Sequence, residues 1–140
     1  MQTLEWRRTQ ALDPSSVREI EDSTGLSLPT DYTSFILEHS EGRPSLKKFK
    51  SADGSEHVCN NLLSFDRGKS ENVLKTFEYL KEELGRSDVF PFARDSFGNY
   101  ICFAFDQTSA EVVFWQHETN SLEPVAKSFL EFLALLHNTE

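Results

Sequence analysis

At 140 residues the chain has the length of one domain, spanning residues 1–140, and nothing in its composition calls for a second. Hydrophobic residues make up 38%, a modest share that twelve phenylalanines offset, because each aromatic buries a large area. The formal net charge of −9 at pH 7 argues against nucleic-acid binding, which needs clustered lysine and arginine, and no apolar run is long enough to span a membrane.

The opening MQTLEWRRTQ lacks the apolar centre of a secretory signal, so a reducing cytoplasm is the expected location. Cys59 and Cys102 are the only cysteines, and Cys102 lies in an apolar stretch where a buried free thiol is expected. Trp6 is expected to dock on the body of the domain. Asp13-Pro14 then reads as a helix start, with a side-chain acceptor at the cap and proline in the first turn. Val17 and Ile20 face inward together, and Gly25 stops the helix by accepting the left-handed conformation.

A second helix begins near Leu28-Pro29-Thr30-Asp31-Tyr32. Leu28, Tyr32, Phe35, Ile36 and His39 share one face, and Asp31 suits the positive end of the helix dipole. Glu41-Gly42 ends it. The basic stretch Arg43–Lys50 reads as a solvated loop running into an edge strand, where lysines discourage unwanted pairing. Ser51–Glu56 is a turn around Asp53-Gly54, and His57–Phe65 holds one or two strands. Ser70 is expected to open a third helix, with Val73, Phe77, Leu80 and Leu84 inward and Gly85 as its stop.

The densest information lies between Phe90 and Glu118, which reads as three short strands joined by polar turns at 94–99 and 106–110. Tyr100–Phe105 is apolar throughout, as expected of a strand buried on both faces. Another short strand ends near Val125. Ser128 and Glu131 form a capping-box pattern before a helix that turns Phe129, Phe132, Leu133 and Leu136 onto the sheet. Two helices, strands, a helix, strands and a helix make an α+β fold with a mostly antiparallel sheet and about four helices.

Antiparallel pairing of the three strands brings Asp95, Asn99 and His117 to one end and sends Asp106 to the other. Asp, Gly and Asn are also what tight turns demand, so this clustering favours turn structure over catalysis. There is no CxxC, no His pair at metal spacing, no GxSxG and no phosphate-binding glycine loop. The residues therefore point away from an enzyme and call for no cofactor or metal.

In order along the chain come Ile20 with Thr24-Gly25, Leu28-Pro29 with Asp31-Tyr32 and Phe35, Gly42, Leu62-Leu63-Ser64-Phe65, and Glu71-Asn72-Val73-Leu74. Phe90-Pro91-Phe92-Ala93-Arg94-Asp95-Ser96-Phe97-Gly98-Asn99-Tyr100-Ile101-Cys102-Phe103 follows, then Val113-Phe114-Trp115 with His117-Glu118, and Val125-Ala126 with Ser128-Phe129 and Phe132-Leu133. This ordered set resembles the SUKH superfamily, the Smi–Knr type of small α+β domain. Arg43 and Pro44 depart from it, standing where relatives often continue a glycine-rich loop. The resemblance implies helices flanking a sheet and no established catalytic centre. It also implies recognition of another protein: bacterial relatives are commonly immunity proteins that neutralise a cognate toxin, often a nuclease, and fungal relatives regulate cell-wall synthesis through partner binding. Asp95, Asn99, Trp115 and His117 are the expected partner-facing residues. A scaffolding domain with a housekeeping partner is the alternative, and a small-ligand binder or enzyme at the Asp95–His117 end is a third. Nothing in the sequence requires a dimer.

Overall fold

The computed structural model describes residues 2–139. The elements run β1 (Trp6–Arg7), α1 (Pro14–Thr24), α2 (Thr30–His39), β2 (Arg43–Pro44), β3 (Lys48–Lys50), β4 (Glu56–Val58), β5 (Asn61–Leu62) and α3 (Val73–Leu84). They continue with β6 (Val89–Arg94), β7 (Tyr100–Phe105), β8 (Ala110–Gln116), β9 (Ser121–Ala126) and α4 (Phe129–Leu135). The fold is α+β, with four helices and antiparallel sheets.

Strands β5 to β9 form an antiparallel meander in chain order. Its inner face carries Phe90, Phe92, Ile101, Phe103 and Phe114, which pack with Tyr32 of α2 and with Phe129 and Phe132 of α4. The outer face carries Val89, Cys102, Val113 and Trp115, covered by Leu80 of α3. The middle of β7 is thus buried on both sides, as its unbroken apolar run requires, while Tyr100, Ala104 and Phe105 are half-buried. Pro91 cannot donate to a ladder, and β6 accommodates it at a register shift between Pro91 and Ala93. Both cysteines are free and buried, and burial pushes the Cys59 thiol up to about 12.

Local signals decide most helix ends. Asp13 accepts from the Ser15 amide at 2.9 Å, and Gly25 and Gly85 close α1 and α3 with φ of 74° and 68°. Ser128 caps α4 by accepting from the Glu131 amide at 3.1 Å. The third helix starts later than Ser70: Asn72, fully enclosed, accepts from the Lys75 amide at 2.9 Å while donating to the Lys69 carbonyl. The end of α2 also differs in detail. Glu41, not Gly42, takes the left-handed conformation, at φ 68°. Gly42 is required for space, because a Cβ there would lie 2.8 Å from the His39 carbonyl oxygen and 3.0 Å from the Trp6 ring. Trp6 docks edge-on against Phe35, with ring centroids 5.2 Å apart.

Two further features extend the sheet system. The β3–β4 hairpin, turning at residues 51–55, lies over the inner face, where Phe49 packs edge-on to Phe132 at 5.2 Å. Strand β9 covers six residues and ends at Ala126, beside the expected Val125. Pro124 interrupts its apolar pattern but suits a sheet edge, where its carbonyl accepts from the Ala52 amide at 2.7 Å.

Candidate functional site

The turn between β6 and β7 is built by Asp95. One carboxylate oxygen accepts from the amides of Phe97 (2.8 Å) and Asn99 (2.9 Å), and the other accepts from the Asn99 side chain at 2.8 Å. Gly98 supplies the positive φ of 89° that the reversal needs. Asn99 then passes the connection across to the end of β8. Its side-chain oxygen accepts from the His117 amide (2.9 Å) and meets the ring nitrogen Nδ1 of His117 at 2.6 Å. Because that oxygen can only accept, Nδ1 carries the proton and leaves Nε2 outward.

Asp95, Asn99 and His117 therefore come together, as antiparallel pairing requires, but only His117 is exposed. Asp95 is 3% accessible and Asn99 6%. Trp115, expected on the partner-facing patch, is 1% accessible and lies beneath it. It is placed there by strand alternation: it shares the outer face with Cys102 and Val113, stacks on Tyr100, and meets Tyr79 of α3 edge-on at 5.9 Å. Its indole N–H is satisfied by Asn120 at 2.9 Å. Asp106 sits at the other end of β7 and binds the amides of Thr108 and Ser109.

The side chain that the turn offers to solvent is Phe97, 74% exposed. It borders an open concavity of about 610 Å³ between the turn, the end of β8 and the β4 hairpin strand. Glu56, Asp95 and Glu118 line this concavity together with His57 and His117, and no lysine or arginine does. His57 and Glu56 are additions that no local pattern in the chain announces. His57 stacks on Phe114 with centroids 3.8 Å apart, and its Nε2 lies 3.0 Å from the Ser51 hydroxyl. Burial lowers its pKa below that of an ordinary imidazole, opposed by the nearby carboxylates of Asp53, Asp95 and Glu123.

Two of these groups are committed to local structure. Both oxygens of Asp95 are engaged by its own turn. The Ser51 hydroxyl donates to Asp53 at 2.6 Å, so the acid does not orient the histidine as a hydrolytic triad demands. Among the described residues, no group of three His, Cys, Asp or Glu side chains is placed to hold a metal ion. No helix among them is long and apolar enough to cross a membrane.

A helix-flanked antiparallel meander with an exposed, acid-lined end defines a small α+β domain. Residues 14–133 match the SUKH_6 family, described as SMI1-KNR4 cell-wall, and the chain belongs to it. It is also similar to a SPbeta prophage-derived uncharacterized protein, YokK, of Bacillus subtilis (strain 168). The two are 27% identical over 139 residues, covering 84% of this chain and 70% of the relative.

Proposed function

We propose that this chain is a protein-binding domain of the immunity type, which occludes a basic surface of a cognate toxin in the cytoplasm. The observation that carries the reading is the concavity at the end of the meander: three lining carboxylates, no lysine or arginine, and a projecting phenylalanine at its rim. An aromatic anchor beside desolvated charge is the usual composition of an interface hot spot. The net charge of −9 steers association with a cationic partner such as a nuclease. The patch presents Phe97, His117, Glu118 and Glu56, with Asp95 and Asn99 as its internal frame. The prophage origin of the YokK relative accords with a role in conflict between genetic elements. Buried free thiols suit a reducing compartment.

The family description, cell-wall, favours a second reading: a regulatory or scaffolding domain that binds a housekeeping protein through the same patch. Co-expression with a toxin encoded beside the gene separates the two. Immunity requires survival of the host and a stable complex, both abolished by Glu118→Lys combined with Phe97→Ala. A chain that neither binds nor protects, yet retrieves an endogenous partner through the same residues, belongs to the scaffolding class.

A further inference from the structure

We propose that a second, oppositely charged cleft beside the first receives an acidic segment of the partner protein. The inference rests on the protein-binding reading above for the identity of that partner. The cleft encloses about 460 Å³ between β1, β2, β5 and the segment that enters α3. Arg8, Arg43 and Lys69 line it, with Glu41, Glu71 and Asn61.

Its two carboxylates are already engaged. Glu41 pairs with Lys69 and accepts from the Ser64 hydroxyl at 2.8 Å. Glu71 pairs with Arg94 at 3.0 Å and accepts from the Tyr100 hydroxyl at 2.8 Å. Among the described residues, no carboxylate stands within ion-pairing distance of Arg8 or Arg43. Among the described residues, two guanidinium groups thus face one cleft without an ion-pair partner, in a chain that carries an excess of acids.

The backbone holds them there at a cost. Arg43 lies directly opposite Arg7 in the β1–β2 ladder, and like charges across a strand pair are destabilising. Arg8 has φ 57° and Glu41 φ 68°, the left-handed region that non-glycine residues avoid. Strained residues gathered around a cleft are typical of ligand clamps.

A carboxylate is the group that fits. The guanidinium fork matches it bidentately, and the neutral amides of Asn61 and Gln10 add donors. The fixed carboxylates of Glu41 and Glu71 repel the second charge of a phosphate, which a single carboxylate does not carry. The cleft also adjoins the acid-lined concavity. Asn61 of this cleft pairs with Arg94, whose chain neighbour Asp95 lines the concavity. A partner that places lysine or arginine against Glu56 and Glu118 is thereby offered a site for aspartate or glutamate alongside, which sets its orientation.

The test is a titration of the intact chain followed by amide and arginine side-chain NMR signals at low salt. The probes are an end-capped tetraglutamate peptide, an end-capped tetralysine peptide and inorganic phosphate. Tetraglutamate is expected to give saturable shifts at Arg8, Gln10, Arg43 and Asn61. Arg8→Gln with Arg43→Gln is expected to weaken that binding about tenfold or more. The lysine pair Arg8→Lys with Arg43→Lys, which keeps charge but loses the fork, should weaken it less. Absence of saturable shifts with tetraglutamate, or equal binding by the glutamine variant, overturns the proposal. So does tighter binding of phosphate at the same residues, which would assign the cleft to a phosphorylated ligand. Tetralysine reports separately on the concavity through Glu56, Phe97 and Glu118, so failure of that reading is seen independently.

Discussion

One oxygen of Asn99 serves two donors on His117, the backbone amide at 2.9 Å and ring Nδ1 at 2.6 Å. The same side chain donates to Asp95, so it ties the β6–β7 turn to the end of β8 inside an enclosed site. Asn99→Ala leaves the Asp95 carboxylate and the His117 amide each short of a partner. The expected loss is about 2 kcal/mol, read as a lower urea midpoint at pH 7. Asn99→Asp is expected to cost more than alanine at pH 7, because it sets two carboxylates face to face, and to recover in part at pH 5. Equal midpoints for wild type and Asn99→Ala would mean that the turn is held by its backbone alone.

Tyr32 supplies a contrast, a buried polar atom without a bond. Its ring is fully enclosed by Phe65, Phe90, Phe92, Phe103 and Phe129, and its hydroxyl has no partner among the described residues. Burial raises its pKa well above that of an ordinary phenol. Removing an unsatisfied hydroxyl from such a place recovers its desolvation cost, about 1–3 kcal/mol, less the packing lost with one atom. Tyr32→Phe is therefore expected to stabilise the fold by about 1 kcal/mol in urea unfolding. A destabilised variant would reveal a buried water bound to the hydroxyl.

Burial of His57 gives the fold a pH dependence whose sign is fixed. The lowered folded pKa means that the unfolded chain binds a proton more readily, near the ordinary imidazole value of about 6.5. Above that value the contribution is fully present. As pH falls through about 6.5 toward the lowered folded value, the unfolded state takes up more protons and stability declines. Urea midpoints between pH 7.5 and 5.5 should fall more steeply for the wild type than for His57→Gln. Identical slopes would remove His57 from this part of the profile.

Gly42 lies where three parts of the structure meet, within 3.1 Å of Thr9 and closer still to Trp6 and the His39 carbonyl, measured from the position of an added Cβ. Backbone cannot yield as a flexible side chain does, so Gly42→Ala is expected to cost about 1–3 kcal/mol. The displacement should be visible in tryptophan fluorescence as Trp6 leaves Phe35. An unchanged midpoint with unchanged fluorescence would show that the space around Gly42 accommodates a methyl group.

What was legible in the chain was local. Asp13, Gly25, Gly85 and Ser128 act at single helix ends through their own side chain or φ, so pattern alone locates them. The three central strands were legible because the short apolar run from Tyr100 to Phe105, bounded by polar turns, suits a strand whose middle is covered on both sides. Choice among neighbours of similar chemistry was not: Ser70 and Asn72 both suit a helix cap, and tertiary burial of Asn72 selects between them. Long-range placement was not legible either. Nothing near His57 in sequence indicates that it stacks on Phe114, and nothing near Trp115 indicates that Tyr79 and Tyr100 enclose it.

Trp115 and Phe97 therefore make a discriminating pair, since both are aromatic, both belong to the same region, and they face opposite environments. Trp115→Ala empties a site that is 1% accessible and leaves Asn120 without its indole donor. A loss of about 3–5 kcal/mol is expected, enough to unfold much of the population on warming. Phe97→Ala removes a side chain that is 74% exposed, so stability should stay within about 0.5 kcal/mol. Its effect should fall on partner binding instead, where loss of an aromatic anchor costs about 2 kcal/mol, or roughly thirtyfold in Kd. Calorimetric unfolding and affinity measured on the same two variants separate the roles. A Phe97→Ala chain that binds its partner unchanged would move the interface away from the acid-lined concavity.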